Sequence, residues 1–138
     1  MNFFKYLFSI TIVLSFLTVN AQTKKIEDVD FNSYLEINGE KTVLNGGGIR
    51  EKYGFMDLYV GALYINETSS DADKIIMADD NMGIRIVIVS GLVTRDRFIE
   101  ALEEGFVNTT AGKSSPSDVD KFKKFLSDPF VEGDEIVL

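Results

Sequence analysis

The segment YLEINGEKTVL, residues 34–44, places the dipeptide Asn38-Gly39 between two extended runs. Both residues of the dipeptide tolerate a positive φ, which the tightest two-residue hairpin turns require. The two runs are therefore expected to form neighbouring antiparallel strands. Such a hairpin argues against a fully parallel, doubly wound sheet.

The chain that follows this hairpin is rich in strand-forming residues. Three consecutive glycines in LNGGGIR (44–50) are typical of a flexible turn. The next segment, IREKYGFMDLYVGALYINE, predicts two more strands or one long bent pair. GIRIVIVSG, which begins at Gly83, is apolar on both faces apart from Arg85, so it is expected to lie centrally in the sheet.

Three segments show the signals of helices. SSDADKIIMADD predicts a short helix capped by Ser70, with Ile75 and Ile76 facing inward. TRDRFIEALEEGFVN predicts a longer one capped by Thr94, with its apolar stripe packed on the sheet. SSPSDVDKFKKFLSDP predicts a third, with Ser115 as its cap and with Val119, Phe122, Phe125 and Leu126 facing inward.

The last segment, GDEIVL, begins another strand. Strands, a short helix, a strand, two helices and a final strand together indicate an α+β fold, with a mostly antiparallel sheet covered by helices on one face.

The composition excludes several classes of chemistry. The 138-residue chain contains no histidine, cysteine or tryptophan, so imidazole and thiol catalysis and the usual zinc sites are excluded. We expect no cofactor and no metal. The formal charge of −8 disfavours nucleic acid and anionic lipid as partners.

The first 21 residues resemble a secretory signal peptide. Lys5 precedes an apolar run from Tyr6 to Val19, and small Ala21 follows. A membrane anchor is the alternative, but the run is interrupted by hydroxyl residues and is short for a span. We expect cleavage near Ala21, no stable membrane anchor afterwards, and a periplasmic or secreted domain of residues 22–138.

Arg50 is the candidate functional residue, and three interpretations compete for it. Phosphate-binding loops are excluded because Ile49-Arg50 and a strand follow the glycines, where such loops need a lysine and a hydroxyl residue or the start of a helix. The arginine could be a solvated strand residue, or it could pair with Glu51 or Asp57. It could also bind an anion in an apolar cleft, where a carboxylate would offer it a bidentate partner.

Three blocks in order, LNGGGIR, LYVGALYINE and TRDRFIEALEEGFVN, resemble the chalcone isomerase-like family. The resemblance covers roughly residues 34–138. It implies an open-faced β-sandwich, with a cleft for a flat apolar ligand between the sheet and the helices. Family members continue past a strand like GDEIVL with a hairpin and a closing helix, which leaves open a domain that lacks both.

The resemblance also assigns site residues. Arg50 matches the family arginine that faces an anionic oxygen, and Tyr59 falls where the plant enzymes have a threonine that orders a water. Phe98 and Gly105 stand where active enzymes present a tyrosine and an asparagine, so two hydrogen bonds to the substrate are missing. This combination is similar to the non-catalytic, fatty-acid-binding members, and we expect an exported bacterial branch that binds a small apolar or amphipathic carboxylate. The expected ligand-binding residues are Arg50, Tyr59, Phe98, Leu102, Gly105 and Phe106.

Two other functions stay open. The protein could be an isomerase or intramolecular lyase acting on a conjugated carbonyl compound, with Arg50 stabilising an oxyanion and Tyr59 donating a proton. It could also be an envelope interaction module with a vestigial cleft. Arg95 and Arg97 are expected to be solvated residues of a first helical turn, and Tyr64 is expected to pack in the core, whereas Tyr53 could line the cleft.

Overall fold

The computed structural model describes residues 22–109 and 114–138. The predicted signal peptide lies outside the described residues. In chain order the elements are β1 (Thr23–Ile26), β2 (Val29–Asn32), β3 (Tyr34–Ile37), β4 (Glu40–Lys52), β5 (Met56–Ile65), α1 (Ala72–Met77), β6 (Met82–Ile88), α2 (Arg95–Thr109), α3 (Pro116–Lys124) and β7 (Glu135–Val137). None of the helices in these ranges is long and apolar enough to cross a membrane.

A five-stranded antiparallel sheet in the order β3-β4-β5-β6-β7 forms the centre of the fold. Its first hairpin turns at Asn38 and Gly39, whose φ angles are 52° and 80°. The Asn-Gly prediction is therefore confirmed, and so is the α+β class with a large antiparallel sheet. The segment GDEIVL supplies β7, which pairs with β6.

The expectation of a turn at the three glycines is wrong. Gly46, Gly47 and Gly48 lie inside β4, a strand of 13 residues that pairs with β5 along most of its length. The turn between β4 and β5 instead contains Tyr53 and Gly54, with φ angles of 59° and 73°. Successive side chains along a strand project from opposite faces of the sheet. The three glycines therefore leave both faces without side chains at this point, but they do not interrupt the strand.

Two bulges interrupt the pairing of β4 with β5. The register skips Asn45 in β4 and Leu58 in β5, so each of these residues is left without an opposite partner. A bulge redirects the side chains beside it. As a result Leu58 packs on the same side of the sheet as its neighbour Tyr59, and the Asn45 side chain accepts a hydrogen bond of 2.8 Å from the backbone N–H of Ser69.

Helices α2 and α3 pack on one face of the sheet. Helix α3 begins as predicted, because the Ser115 hydroxyl accepts from the backbone N–H of Asp118 and Pro116 takes the first helical position. The core beneath α2 and α3 consists of Ile86, Ile88, Val93, Ile99, Leu126 and Ile136.

Three details of the helix predictions are wrong. The cap of α1 is Asp71, whose carboxylate accepts from Lys74 N–H, and not Ser70. Ile76 and Phe125 were expected to face inward but are exposed, because α1 is a six-residue helix with no buried side chain and α3 ends at Lys124, one residue before Phe125.

A small hairpin, formed by β1 and β2, covers the opposite face of the sheet. No pattern in the sequence predicts it, because residues 22–33 are mostly polar. Phe31 is fully buried there against Val60, Ala62 and Tyr64. The Tyr64 hydroxyl donates to the carbonyl of Asn32 at 2.9 Å, so Tyr64 is a core residue as predicted.

Candidate functional site

A cleft of about 630 Å³ opens between the β4–β5 hairpin and the N-terminal half of α2. We call it the Arg50 cleft. Strand residues form one wall, α2 forms the other, and the loop before α2 closes one end. The lining residues are Arg50, Lys52, Met56, Leu58, Tyr59, Leu92, Val93, Arg97, Phe98, Glu100, Ala101 and Glu104.

Arg50 and Tyr59 lie side by side on the sheet wall of this cleft. They are directly opposite each other in the β4–β5 register, and Tyr59 is in turn opposite Ile88 of β6. Directly opposed residues project from the same face of an antiparallel pair, with Cβ atoms about 5 Å apart. The register therefore brings one guanidinium and one phenol hydroxyl to the same part of the cleft.

Arg50 is exposed at the rim of the cleft and is not enclosed by apolar side chains, so of the three interpretations anion binding could take place only at this rim. Its position near the end of β4, only three residues before the Tyr53-Gly54 turn, keeps it near solvent. No ion pair joins it to Glu51, Asp57 or any other acid of residues 22–109 and 114–138. The guanidinium is thus available to an anion, although water screens its charge.

Phe98 contributes the apolar part of the α2 wall. Its ring packs edge-on against Tyr59, with ring centroids 6.4 Å apart, and against Phe130 at 5.4 Å. These contacts hold the Tyr59 ring between the sheet and α2. Phe98 offers no hydroxyl at the position where the family resemblance implies a tyrosine.

The other predicted site residues lie away from the lining of the cleft. Leu102 packs on the core beneath α2. Phe106 stacks edge-on with Phe122 of α3, at a centroid distance of 5.8 Å, and lines a separate depression between the two helices. Gly105 lies one residue before Phe106 on α2, and a Cβ built on it meets no atom within 4 Å. The structure therefore brings together Arg50, Tyr59 and Phe98, and their role in binding a ligand stays a prediction.

Sequence reasoning missed nine of the twelve residues that line the cleft, and three of these show why. Leu58 reaches it because the bulge turns this side chain to the helix side, and no local pattern announces the bulge. Lys52 lies two residues beyond Arg50 on β4, so alternation along the strand could have indicated it. Arg97, expected to be solvated, lines the cleft and donates to the carbonyl of Leu92 at 3.0 Å.

Arg95 belongs to the fold and not to the cleft. Its Nε donates to the carbonyl of Leu126, beyond the end of α3, and its guanidinium lies 3.6 Å from the Asp96 carboxylate. The two arginines of the first turn of α2 therefore have different roles. One ties α2 to α3, and the other borders the cleft.

The charges at the cleft favour an anionic ligand over a cationic one. Three cationic side chains (Arg50, Lys52 and Arg97) line it against two acidic ones (Glu100 and Glu104), in a chain whose overall charge is −8. The described residues contain no cluster of three or more acidic side chains that could hold a metal ion. Between the cations and α2, the surfaces of Leu58, Val93 and Phe98 are apolar. This combination suits a molecule with one negative group and one apolar part.

Comparisons with known proteins agree with this architecture. The model of the family described as chalcone isomerase-like matches residues 23–138. No curated protein sequence matches the chain. Among solved structures, the chain is similar to the fatty-acid binding protein AtFAP1 of Arabidopsis thaliana. That match has a TM-score of 0.58 and 21% sequence identity, and covers 85% of this chain and 72% of the plant protein.

Proposed function

Because the chain belongs to the chalcone isomerase-like family, we propose that it binds a small amphipathic carboxylate, such as a fatty acid, in the Arg50 cleft. The carboxylate contacts Arg50 and Tyr59, and the apolar part lies against Leu58 and Phe98. The observation that carries this proposal is the Arg50–Tyr59 pair on the sheet wall, with no acidic partner for the arginine among the described residues. The similarity of the fold to a fatty-acid binding protein supports it.

The size of the cleft suits such a ligand. Small-molecule sites commonly have volumes of about 300–1,000 Å³, and the Arg50 cleft, at about 630 Å³, lies within this range. Apolar burial supplies most of the affinity, at roughly 25 cal/mol per Å² of surface removed from water. The ion pair contributes less, about 1 kcal/mol, because Arg50 is exposed and screened. Its main effect is to orient the carboxylate toward the rim.

The proposed function does not include flavonoid cyclisation. Phe98 replaces a hydroxyl donor with a ring that is already packed between Tyr59 and Phe130. Gly105 has no side chain to donate at the second position. Removing one such donor commonly costs about a hundredfold or more in rate, so the loss of two leaves little turnover. The absorbance of a chalcone mixed with the protein should fall over hours no faster than it does in buffer alone.

We also propose that the protein acts outside the cytoplasm, in the periplasm or after secretion, with residues 1–21 removed as a signal peptide. The support is the charge and hydrophobicity pattern of that segment. The N-terminal sequence of the protein recovered from its producing cells tests this point directly. Cleavage near Ala21 is expected, and an intact N-terminus would contradict the proposal.

Titration with palmitate, below its critical micelle concentration, tests the binding function. Native mass spectrometry or calorimetry of the wild type should show one bound palmitate. Arg50→Gln should weaken binding about fivefold, because about 1 kcal/mol is lost, and should reduce the dependence of affinity on salt. Lys24→Ala, which removes an exposed cation from β1, is the matched control and should bind as the wild type does. A wild type that binds no fatty acid would refute the function, and equal affinity of the wild type and Arg50→Gln would remove Arg50 from the site.

A further inference from the structure

The turn between β4 and β5 carries two exposed aromatic rings. Tyr53 and Phe55, on either side of Gly54, are each 75% exposed. Their rings stack on each other with centroids 6.4 Å apart, and the ammonium group of Lys52 lies 5.2 Å from the centre of the Tyr53 ring. We call Lys52, Tyr53, Gly54 and Phe55 the aromatic tip. Neither ring belongs to the two hydrophobic clusters that the described residues form.

The backbone of this turn disfavours tyrosine. Tyr53 and Gly54 have φ angles of 59° and 73°. The turn of the first hairpin is nearly the same, with φ angles of 52° at Asn38 and 80° at Gly39. Asparagine adopts this left-handed conformation readily, whereas a bulky aromatic residue there is an outlier. The fold therefore uses Asn-Gly at one turn and Tyr-Gly at the other, and neither local geometry nor core packing explains the tyrosine.

The aromatic tip is too small to bind another protein stably by itself. One aromatic side chain buries about 150–250 Å², so the two rings together offer at most about 500 Å². A stable protein–protein interface buries about 800 Å² on each partner. A lipid bilayer imposes no such minimum area, because it surrounds each ring that enters it. Aromatic residues and lysines are also typical of the membrane–water interface, since their polar ends stay in the headgroup layer.

The aromatic tip is continuous with the Arg50 cleft. Lys52 and Met56, which flank the two rings in sequence, are opposite each other in the β4–β5 register, and both line the cleft. Arg50 lies two residues before Lys52 on β4, about 7 Å along the strand, and is exposed at the rim. A bilayer in contact with the tip would therefore lie beside the end of the cleft at which the carboxylate is proposed to bind.

We propose that the aromatic tip docks reversibly on the surface of a zwitterionic lipid bilayer, and that the Arg50 cleft takes its fatty acid from that bilayer. The transfer step rests on the proposed function, whereas the contact with the bilayer does not. A fatty acid in a bilayer holds its carboxylate in the headgroup layer, and Lys52 and Arg50 come to the same level when the two rings are inserted. The formal charge of −8 opposes adsorption to an anionic membrane, so neutral headgroups are the expected partner.

Single tryptophans test the contact, since the chain contains no tryptophan of its own. Phe55→Trp keeps an aromatic ring at the tip, and Phe125→Trp, at a phenylalanine that is 86% exposed beyond α3, is the matched control. Each protein, recovered from its producing cells, is titrated with phosphatidylcholine vesicles. The emission of Phe55→Trp should shift to shorter wavelength and be quenched by brominated phosphatidylcholine, and that of Phe125→Trp should not. An unshifted Phe55→Trp, or equal shifts in both proteins, would overturn the proposal.

A second substitution at the turn separates docking from folding. Adding Tyr53→Asn to Phe55→Trp should raise the lipid concentration needed for half of the shift at least about tenfold, because one ring is lost. The same substitution gives the turn the Asn-Gly dipeptide of the first hairpin, so the double variant should melt no lower than Phe55→Trp alone when followed by circular dichroism. An unchanged lipid dependence would contradict docking through the two rings.

Palmitate uptake separates this inference from the proposed function. Phe55→Ser should bind free palmitate as tightly as the wild type does, but its uptake of palmitate from phosphatidylcholine vesicles should be slower and should no longer accelerate with vesicle concentration. Arg50→Gln combined with Phe55→Trp should bind palmitate more weakly and still respond to vesicles. If the wild type binds palmitate but Phe55→Trp does not respond to vesicles, the docking is refuted and the function stands. If Phe55→Trp responds but the wild type binds no palmitate, the function and the transfer step fail and the contact with the bilayer stands.

Discussion

The contrast between two neighbouring glycines of β4 gives a sharp test of the sheet register. Gly47 faces the β1–β2 hairpin and Gly48 faces the helix side, so the same substitution by alanine should have opposite effects. In Gly47→Ala the new methyl group would collide with the Gly61 carbonyl oxygen and would lie 3.1 Å from the Cα of Ala62. These are backbone atoms that cannot rotate away. Overpacking of this kind costs about 1–3 kcal/mol, and we expect the upper end of that range.

Gly48→Ala should instead leave the fold intact and raise its stability by about 0.4–1 kcal/mol, because alanine restricts the unfolded chain. The two variants should therefore differ by about 3–4 kcal/mol in the free energy of unfolding, measured by urea titration with circular dichroism. For a domain of this size 1 kcal/mol corresponds to roughly 4 °C in Tm. Gly47→Ala should melt about 10 °C below the wild type, and Gly48→Ala a few degrees above it. Equal stability of the two variants would refute the assignment of these glycines to opposite faces.

Three further predictions concern the packing of the sheet and of α3. Burial raises the pKa of Tyr64 above its ordinary 10.0, so the contribution of its neutral hydroxyl to stability is complete below pH 10 and declines as the pH rises further. Tyr64→Phe should lower the free energy of unfolding by about 1 kcal/mol at neutral pH, because the hydrogen bond to Asn32 is lost, and should show less of this alkaline decline in urea titrations. Arg85 forms an ion pair with Glu135 and lies 5.0 Å from the ring of the buried Phe31. Replacing Arg85 by methionine should lower the free energy of unfolding by about 1–2 kcal/mol, and Glu135→Gln should lower it by less because Glu135 is half exposed. Ser115→Ala should destabilise α3 by about 1 kcal/mol, whereas Ser115→Asp, which keeps an oxygen acceptor, should not; equal losses in both variants would argue against capping.

The parts of the fold that the sequence predicts are those governed by local chemistry. Asn38-Gly39 specifies its turn because both residues accept positive φ, and Ser115-Pro116 starts a helix whatever the rest of the chain does. Where the outcome depends on distant residues, local reasoning fails. Three successive glycines look like a turn, yet they are a strand because β5 pairs with them and the β1–β2 hairpin fills the space beside Gly47.

The residues of the candidate site likewise divide into those that the sequence indicates and those that depend on distant parts of the chain. Family resemblance was enough to single out Arg50, Tyr59 and Phe98, which line one cleft: the β4–β5 register pairs the first two, and α2 brings Phe98 against Tyr59. It did not indicate Leu58, because a one-residue bulge determines which face this side chain takes. Nor did it show that Arg50 is exposed, since exposure depends on how far α2 extends over the sheet. Sequence periodicity contains no information on that distance.

The β1–β2 hairpin is attached to the rest of the molecule in an unusual way. It forms a separate two-stranded sheet, held to the main one by the burial of Phe31 and by side-chain hydrogen bonds from Tyr64 and Arg85 to its carbonyl groups. Units that share no backbone ladder can open independently of global unfolding. Transient detachment of these few residues would uncover the reverse face of the sheet around Val60 and Ala62. The tendency of the protein to self-associate would then depend on how often the β1–β2 hairpin detaches.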